Sequence, residues 1–260
     1  MDPDALDPAT LRAMLEWQRE LGVTDAIGPA PVDRFALPDR MPAPASAPAA
    51  APEAPALLLD DDPVTAAERA AAAAVDLPAL KAALEAYPHC ELRQGARQVV
   101  FADGDPRARA MLIGEAPGRD EDAAGLPFVG QAGRLLDKML ISVGMARDHR
   151  DPARALYITN VLPWRPPGNR DPEPAEVAMM VPFLRRHVEL ADPEVLILMG
   201  NHSCQAVLGR KGVTKLRGSW AQGWNRPVLP MLHTAYLLRR PHAKREAWAD
   251  MLSLADRLGL

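Results

Sequence analysis

Ala110-Met111-Leu112-Ile113-Gly114-Glu115-Ala116-Pro117-Gly118-Arg119-Asp120-Glu121-Asp122 sets the architecture of this chain. The apolar run, taken as 109–113, reads as a buried strand. The glycines and acids behind it continue through Gly125-Leu126-Pro127-Phe128-Val129-Gly130-Gln131-Ala132-Gly133 and lead into an amphipathic helix. Open α/β sheets hold their ligands at such strand-to-helix junctions. Glycine lets backbone approach a flat substrate or a phosphate, and Glu115, Glu121 and Asp122 are candidate general bases beside the exposed amides.

Three further apolar runs, 155–161, 195–199 and 228–232, read as strands of the same sheet. Helical patterns lie between and after them at 132–143, 173–190, 202–208 and 243–258. Alternation at this spacing predicts a three-layer α/β/α sandwich around a four-stranded, mainly parallel sheet. The carboxyl ends of the strands then carry Gly114-Glu115; Thr159-Asn160-Val161 with the basic, proline-rich loop Trp164-Arg165-Pro166-Pro167-Gly168-Asn169-Arg170; Gly200-Asn201-His202; and His233-Thr234-Ala235-Tyr236-Leu237-Leu238-Arg239. Singly, each has a bland reading: Asn160 as a cap, His233 as a core histidine, Phe128 as packing. Jointly they place carboxylate, amide and imidazole around one crevice.

Composition divides the chain. Residues 1–77 hold 5 Lys/Arg against 14 Asp/Glu, leaving 25 against 20 for the remainder, so an acidic arm precedes a mildly basic domain. Residues 1–25 predict an amphipathic helix, and 26–63 a Pro/Ala-rich extended linker. The folded domain is expected over 64–260. Asp60-Asp61-Asp62 reads as a solvated charge run ahead of the first domain helix. Two cysteines and the lack of a basic, apolar leader predict free thiols in a reducing cytoplasm, and no apolar run is long enough for a membrane span.

Over 84–254 the chain resembles the family 4 uracil-DNA glycosylases of the uracil-DNA glycosylase superfamily. The resemblance rests on Gly-Glu-Ala-Pro-Gly at 114–118, Glu121-Asp122, Gly125-Leu126-Pro127-Phe128-Val129-Gly130 and Ala132-Gly133. It extends through Thr159-Asn160-Val161, Arg165-Pro166-Pro167 with Asn169-Arg170, Arg217-Gly218, and His233 followed by Ala235-Tyr236-Leu237-Leu238-Arg239. It implies a monofunctional, monomeric enzyme that extrudes uracil from single- or double-stranded DNA and hydrolyses its glycosidic bond. Phe128 would stack on the base and the Asn160 amide would read it. Gly114 and the amides of Glu115 and Ala116, with neutral His233, would hold O2. Glu121, with Glu115 in reserve, would position the water. Leu237 or Leu238 would wedge into the vacated stack, while Gly118, Arg165, Asn169, Arg170, Arg217 and Arg239 would meet the DNA backbone.

The family pattern also carries four cysteines around an iron-sulfur cluster. Cys90 stands at the first position, but Arg93, Trp164 and Met179-Met180 occupy the others, so neither metal nor cofactor is expected. Thr234 replaces the family's proline after the histidine. The alternative reading is a non-catalytic protein of the same fold that binds uracil-containing or damaged DNA. A nucleotide hydrolase is disfavoured because the glycine loop lacks a Gly-Lys-Ser/Thr ending. The acidic arm is left as a possible protein-partner segment.

Overall fold

The computed structural model describes Thr10 and residues 62–260. The amphipathic-helix and linker expectations for the arm therefore lie almost wholly outside the described residues. Contacts divide the chain into Met1–Ala56 and Leu57–Leu260, and the sheet with its covering helices belongs to the second unit.

The centre of that unit is a sheet of β1 (Asp103–Gly104), β2 (Ala110–Gly114), β3 (Leu156–Asn160), β4 (Val195–Met199), β5 (Ala221–Gly223) and β6 (Arg226–Met231), in the spatial order β1-β3-β2-β4-β6-β5. The inner four strands are parallel, as their continuous apolar composition predicts for strands covered on both faces. The sheet is wider than the four strands expected. β1 and β5 add antiparallel edges that are too short to carry a periodic pattern. The β5–β6 hairpin turns through Trp224 and Asn225, both at positive φ, without the Asn-Gly signature that marks such turns in sequence.

Period-two alternation splits the strand residues between two apolar layers. Met111, Ile113, Tyr157, Leu196, Leu198 and Val228 face one layer, packed with Leu80, Leu84, Phe183 and Leu184 from the helices Leu77–Ala86 and Pro174–Ala191. Ala110, Leu112, Leu156, Ile158, Ile197 and Leu229 face the other. There Leu136 and Leu140 of Gln131–Ser142 meet Met251, Leu254 and Leu258 of Lys244–Leu258. The first domain helix, Pro63–Ala73, begins where Asp62 accepts the Thr65 N–H at 3.1 Å, so the last residue of the acidic run is a helix cap. Asp76 caps Leu77–Ala86 in the same way, accepting from Ala79 at 2.8 Å.

An iron-sulfur cluster does not fit this domain. Cys90, Trp164 and Met180 are all buried in the first apolar layer, and Arg93 is exposed. One thiol, an indole and a thioether cannot supply the thiolate cage such a cluster requires. Among the described residues no group of three or more His, Cys, Asp or Glu is arranged to hold a metal ion. Burial pushes the Cys90 thiol up, and that of Cys204, on the helix Asn201–Leu208, up to about 11, so both behave as small hydrophobes.

Trp164, 2% exposed, is therefore a core residue at the root of the proline-rich loop. Trp164→Ala is expected to cost about 3–5 kcal/mol in urea denaturation. The purified protein is expected to be colourless, and stoichiometric iron in elemental analysis would contradict the assignment.

Candidate active site

The β2–β3 register pairs Gly114 with Asn160, so the last residues of two adjacent parallel strands stand side by side at the carboxyl edge of the sheet. Gly114 has no room for a side chain. A Cβ there would lie 2.3 Å from Asn160 Oδ1 and 2.6 Å from Phe128 Cε2. The bare backbone thus lets a carboxamide and an aromatic ring converge over the strand end. Among the described residues no side chain hydrogen-bonds the Asn160 carboxamide, which leaves its donor and acceptor for a ligand. Its neighbour Thr159 is tied to the Phe101 carbonyl at 2.7 Å.

Phe128 and Asn160 line a cavity of about 330 Å³ together with Glu115, Ala116, Gly118, Glu121, Asn169, Arg170, His233 and Arg239. A larger cavity of about 610 Å³ lies beside β1. Its lining of Asp103, Asp137 and Arg147 is mutually ion-paired, and it has no side-chain amide or aromatic ring to set beside its histidine, His149.

His233 precedes the helix Thr234–Arg239, and its Nδ1 accepts the Ala235 N–H at 3.1 Å. That bond assigns the ring proton to Nε2. Burial pushes the imidazole below its ordinary pKa, against an opposing pull from Glu115, so the ring is neutral and donates through Nε2. It stacks on Phe128 with centroids 5.4 Å apart and planes at 27°. Glu115, at the tip of β2, has Oε2 2.6 Å from His202 Nδ1, a close ionic contact rather than an aligned hydrogen bond. Burial alone would raise the Glu115 carboxyl. The His202 ring, with Arg239 behind it, outweighs that effect and holds the group ionised. The same contact lifts His202 above its ordinary value against desolvation.

The structure places several of the expected site residues in contacts that the sequence does not announce. Glu121 lines the cavity, but Oε1 accepts the N–H groups of Val129 at 3.1 Å and Gly130 at 2.9 Å, and Oε2 accepts that of Gly118 at 3.2 Å. It ties the glycine loop together, and a water would compete with three backbone donors for it. Leu237 is 0% exposed and belongs to the core, whereas Leu238 is 41% exposed one position on. Arg217 is paired with the buried Asp250, with Nε 2.8 Å from Oδ2, and also donates to the Glu246 carbonyl at 2.7 Å. Its guanidinium is engaged by these two partners. Arg170 is clamped by Glu176 at 2.9 Å, and Arg165 donates to Asn169 Oδ1 at 2.7 Å. The Thr234 hydroxyl is fully buried and donates to the Met199 sulfur at 4.0 Å.

Two residues of the site region carry no role in the sequence pattern, His202 and Arg147. A histidine three residues past an apolar strand, in Gly200-Asn201-His202, is an available signal for the first. The second depends on contacts far apart in sequence: Arg147 donates to the Pro127 and Phe128 carbonyls at 3.1 and 2.9 Å.

A family model described as the Uracil DNA glycosylase superfamily matches residues 101–252. A Type-4 uracil-DNA glycosylase of Archaeoglobus fulgidus is 35% identical over 179 residues, covering 65% of this chain and 87% of that protein. One from Thermotoga maritima is 37% identical over 155 residues, covering 58% and 77%, and one from Sulfurisphaera tokodaii is 35% identical over 177, covering 64% and 78%. The chain belongs to the uracil DNA glycosylase superfamily, in its type-4 branch.

The two histidines titrate in opposite directions. In an NMR titration His233 is expected to stay neutral below the ordinary imidazole range, and His202 to stay protonated above it. Unfolded His233 gains its proton first as pH falls, so this group withdraws stability on acidification. His202 contributes stability at low pH that is lost as pH rises through its folded value.

Proposed function

We propose that this chain excises uracil from DNA by hydrolysing the N-glycosidic bond, the first step of base-excision repair. The observation that carries the reading is the meeting of the Phe128 ring, the free Asn160 carboxamide and the neutral His233 ring around one cavity of about 330 Å³. The names of the type-4 relatives support the same chemistry.

A stacked base hides its glycosidic bond, so the nucleotide must leave the helix to react. Phe128 then supports the ring face. The Asn160 carboxamide accepts from uracil N3–H and donates to O4, and cytosine mismatches this pair because it presents an unprotonated N3 and an amino group. As the C1′–N1 bond breaks, its electron pair moves onto the base and negative charge builds on O2. His233 Nε2–H and the amides near Glu115 and Ala116 lie ready to donate to that charge without carrying a net proton to the site. A water adds to the sugar cation at C1′ and gives its proton to a carboxylate, while uracil leaves as the anion.

Glu115 is the carboxylate we assign to that water, because it is ionised, lines the cavity and is not saturated by backbone donors. Leu238, exposed on the adjoining helix, is the wedge for the vacated stack. Arg239, which lines the cavity, and Arg165 are the phosphate ligands, and Arg170 contributes a charge already shared with Glu176. In this reading the enzyme acts as a cytoplasmic monomer with no cofactor, on single- or double-stranded DNA. In the same reading the acidic arm serves a protein partner.

The test is incubation with a uracil-containing oligonucleotide followed by alkali. Strand scission is expected, and retention without scission would favour the non-catalytic DNA-binding alternative. Glu115→Gln is expected to lower kcat by about 10²–10⁴ with DNA affinity kept. Glu121→Gln is expected to act first on thermal stability, and the reverse pattern would return the water to Glu121. Asn160→Asp is expected to relax discrimination against cytosine.

A further inference from the structure

Phe128 is the aromatic wall of the cavity, yet its own backbone sits at φ 56°, a left-handed conformation that a bulky side chain holds only where its surroundings over-determine it. We propose that Arg147 is the positioning residue that fixes Phe128 for stacking on the extruded base. This inference rests on the reading of the cavity as a uracil site.

One guanidinium spans the two peptide planes that flank the Phe128 Cα. Nη1 donates to the Pro127 carbonyl at 3.1 Å, holding the plane that sets φ. Nη2 donates to the Phe128 carbonyl at 2.9 Å, holding the plane that sets ψ. Together the two planes aim the Cα–Cβ bond and hence the ring. Val129 N–H, on the second plane, is gripped from the other side by Glu121 at 3.1 Å. Gly133 leaves the carbonyl room to pass, since a Cβ there would lie 1.6 Å from Phe128 O.

Arg147 is itself immobilised. Its side chain is 16% exposed, Nε donates to Asp137 at 2.9 Å, and Nη1 donates to Asp103 at 2.7 Å. The two carboxylates come from the helix Gln131–Ser142 and from β1, so the ring is anchored to two separate elements of the sandwich. A lysine has one point charge and cannot span both carbonyls and both carboxylates, whereas the planar fork of arginine does.

The guanidinium also lines the 610 Å³ cavity, so its removal leaves a hole that small solutes can enter. The experiment compares the full chain with Arg147→Ala, Arg147→Lys and Asp137→Asn, reading melting temperature, kcat/KM on uracil-containing DNA and inhibition by free uracil. Arg147→Ala is expected to lower kcat/KM about a hundredfold and weaken uracil inhibition about tenfold, the scale of a misplaced contact group. Guanidinium at non-denaturing concentration is expected to restore part of both, and potassium at equal ionic strength neither.

Asp137→Asn loosens the anchor but keeps both carbonyl contacts. It is expected to lower the melting temperature while uracil inhibition stays within about twofold of the parent. Should Arg147→Ala fail to fold, Arg147→Lys decides, with the same weakening of uracil inhibition expected. Unchanged uracil inhibition in a folded Arg147 variant overturns the inference while leaving the site reading intact. A parent protein unable to release uracil overturns both.

Discussion

The site depends on a side chain that is missing. Gly114 ends the central strand β2 in register with Asn160 at the end of β3, and its bare Cα is what allows the carboxamide and the Phe128 ring to share one small volume. Parallel pairing delivers these strand ends to the same edge of the sheet, and burial of both sheet faces locks the register. A single methyl group at this position would push against both recognition groups at once.

Around that point most of the polar chemistry serves geometry. Glu121 collects three backbone N–H groups, Arg147 holds two carbonyls, and Gly133 yields space to a third element of the same loop. Asp122, buried beside them, accepts the Arg97 N–H at 2.9 Å and ties the loop to the segment before β1. Among the described residues, those turned to the cavity include Glu115, held ionised beside His202, the unpaired Asn160 amide and a neutral imidazole whose tautomer is set by its own helix cap. Charge is thereby kept off the histidine, so its Nε2–H stabilises a departing anion by a hydrogen bond and does not protonate it. Elsewhere, apolar packing by Trp164 and Met180 occupies the lobe where the family pattern places metal-binding thiols.

The sheet, its order of helices and the convergence of Glu115, Phe128, Asn160 and His233 are legible in apolar runs and the loops behind them, because those features are local in sequence. Two edge strands escape because two or three residues carry no period, and the hairpin between β5 and β6 turns on Trp224-Asn225 rather than a glycine. Misassigned side chains share a different cause. Leu237 and Leu238 are neighbours of one type, and only the rotation of the helix Thr234–Arg239 sends the first inward. Arg217 reads as a free cation until Asp250, 33 residues on, is placed against it. Residue type announces what a group can do, and the partner that uses it up is fixed by tertiary packing.

The most direct measurement is uracil excision by Gly114→Ala, alongside its melting curve. A folded protein is expected whose kcat/KM on uracil-containing DNA falls about a hundredfold or more, because the added Cβ displaces Asn160 and Phe128 together. A folded Gly114→Ala protein that releases uracil at the parental rate would contradict the central role given to that bare strand end.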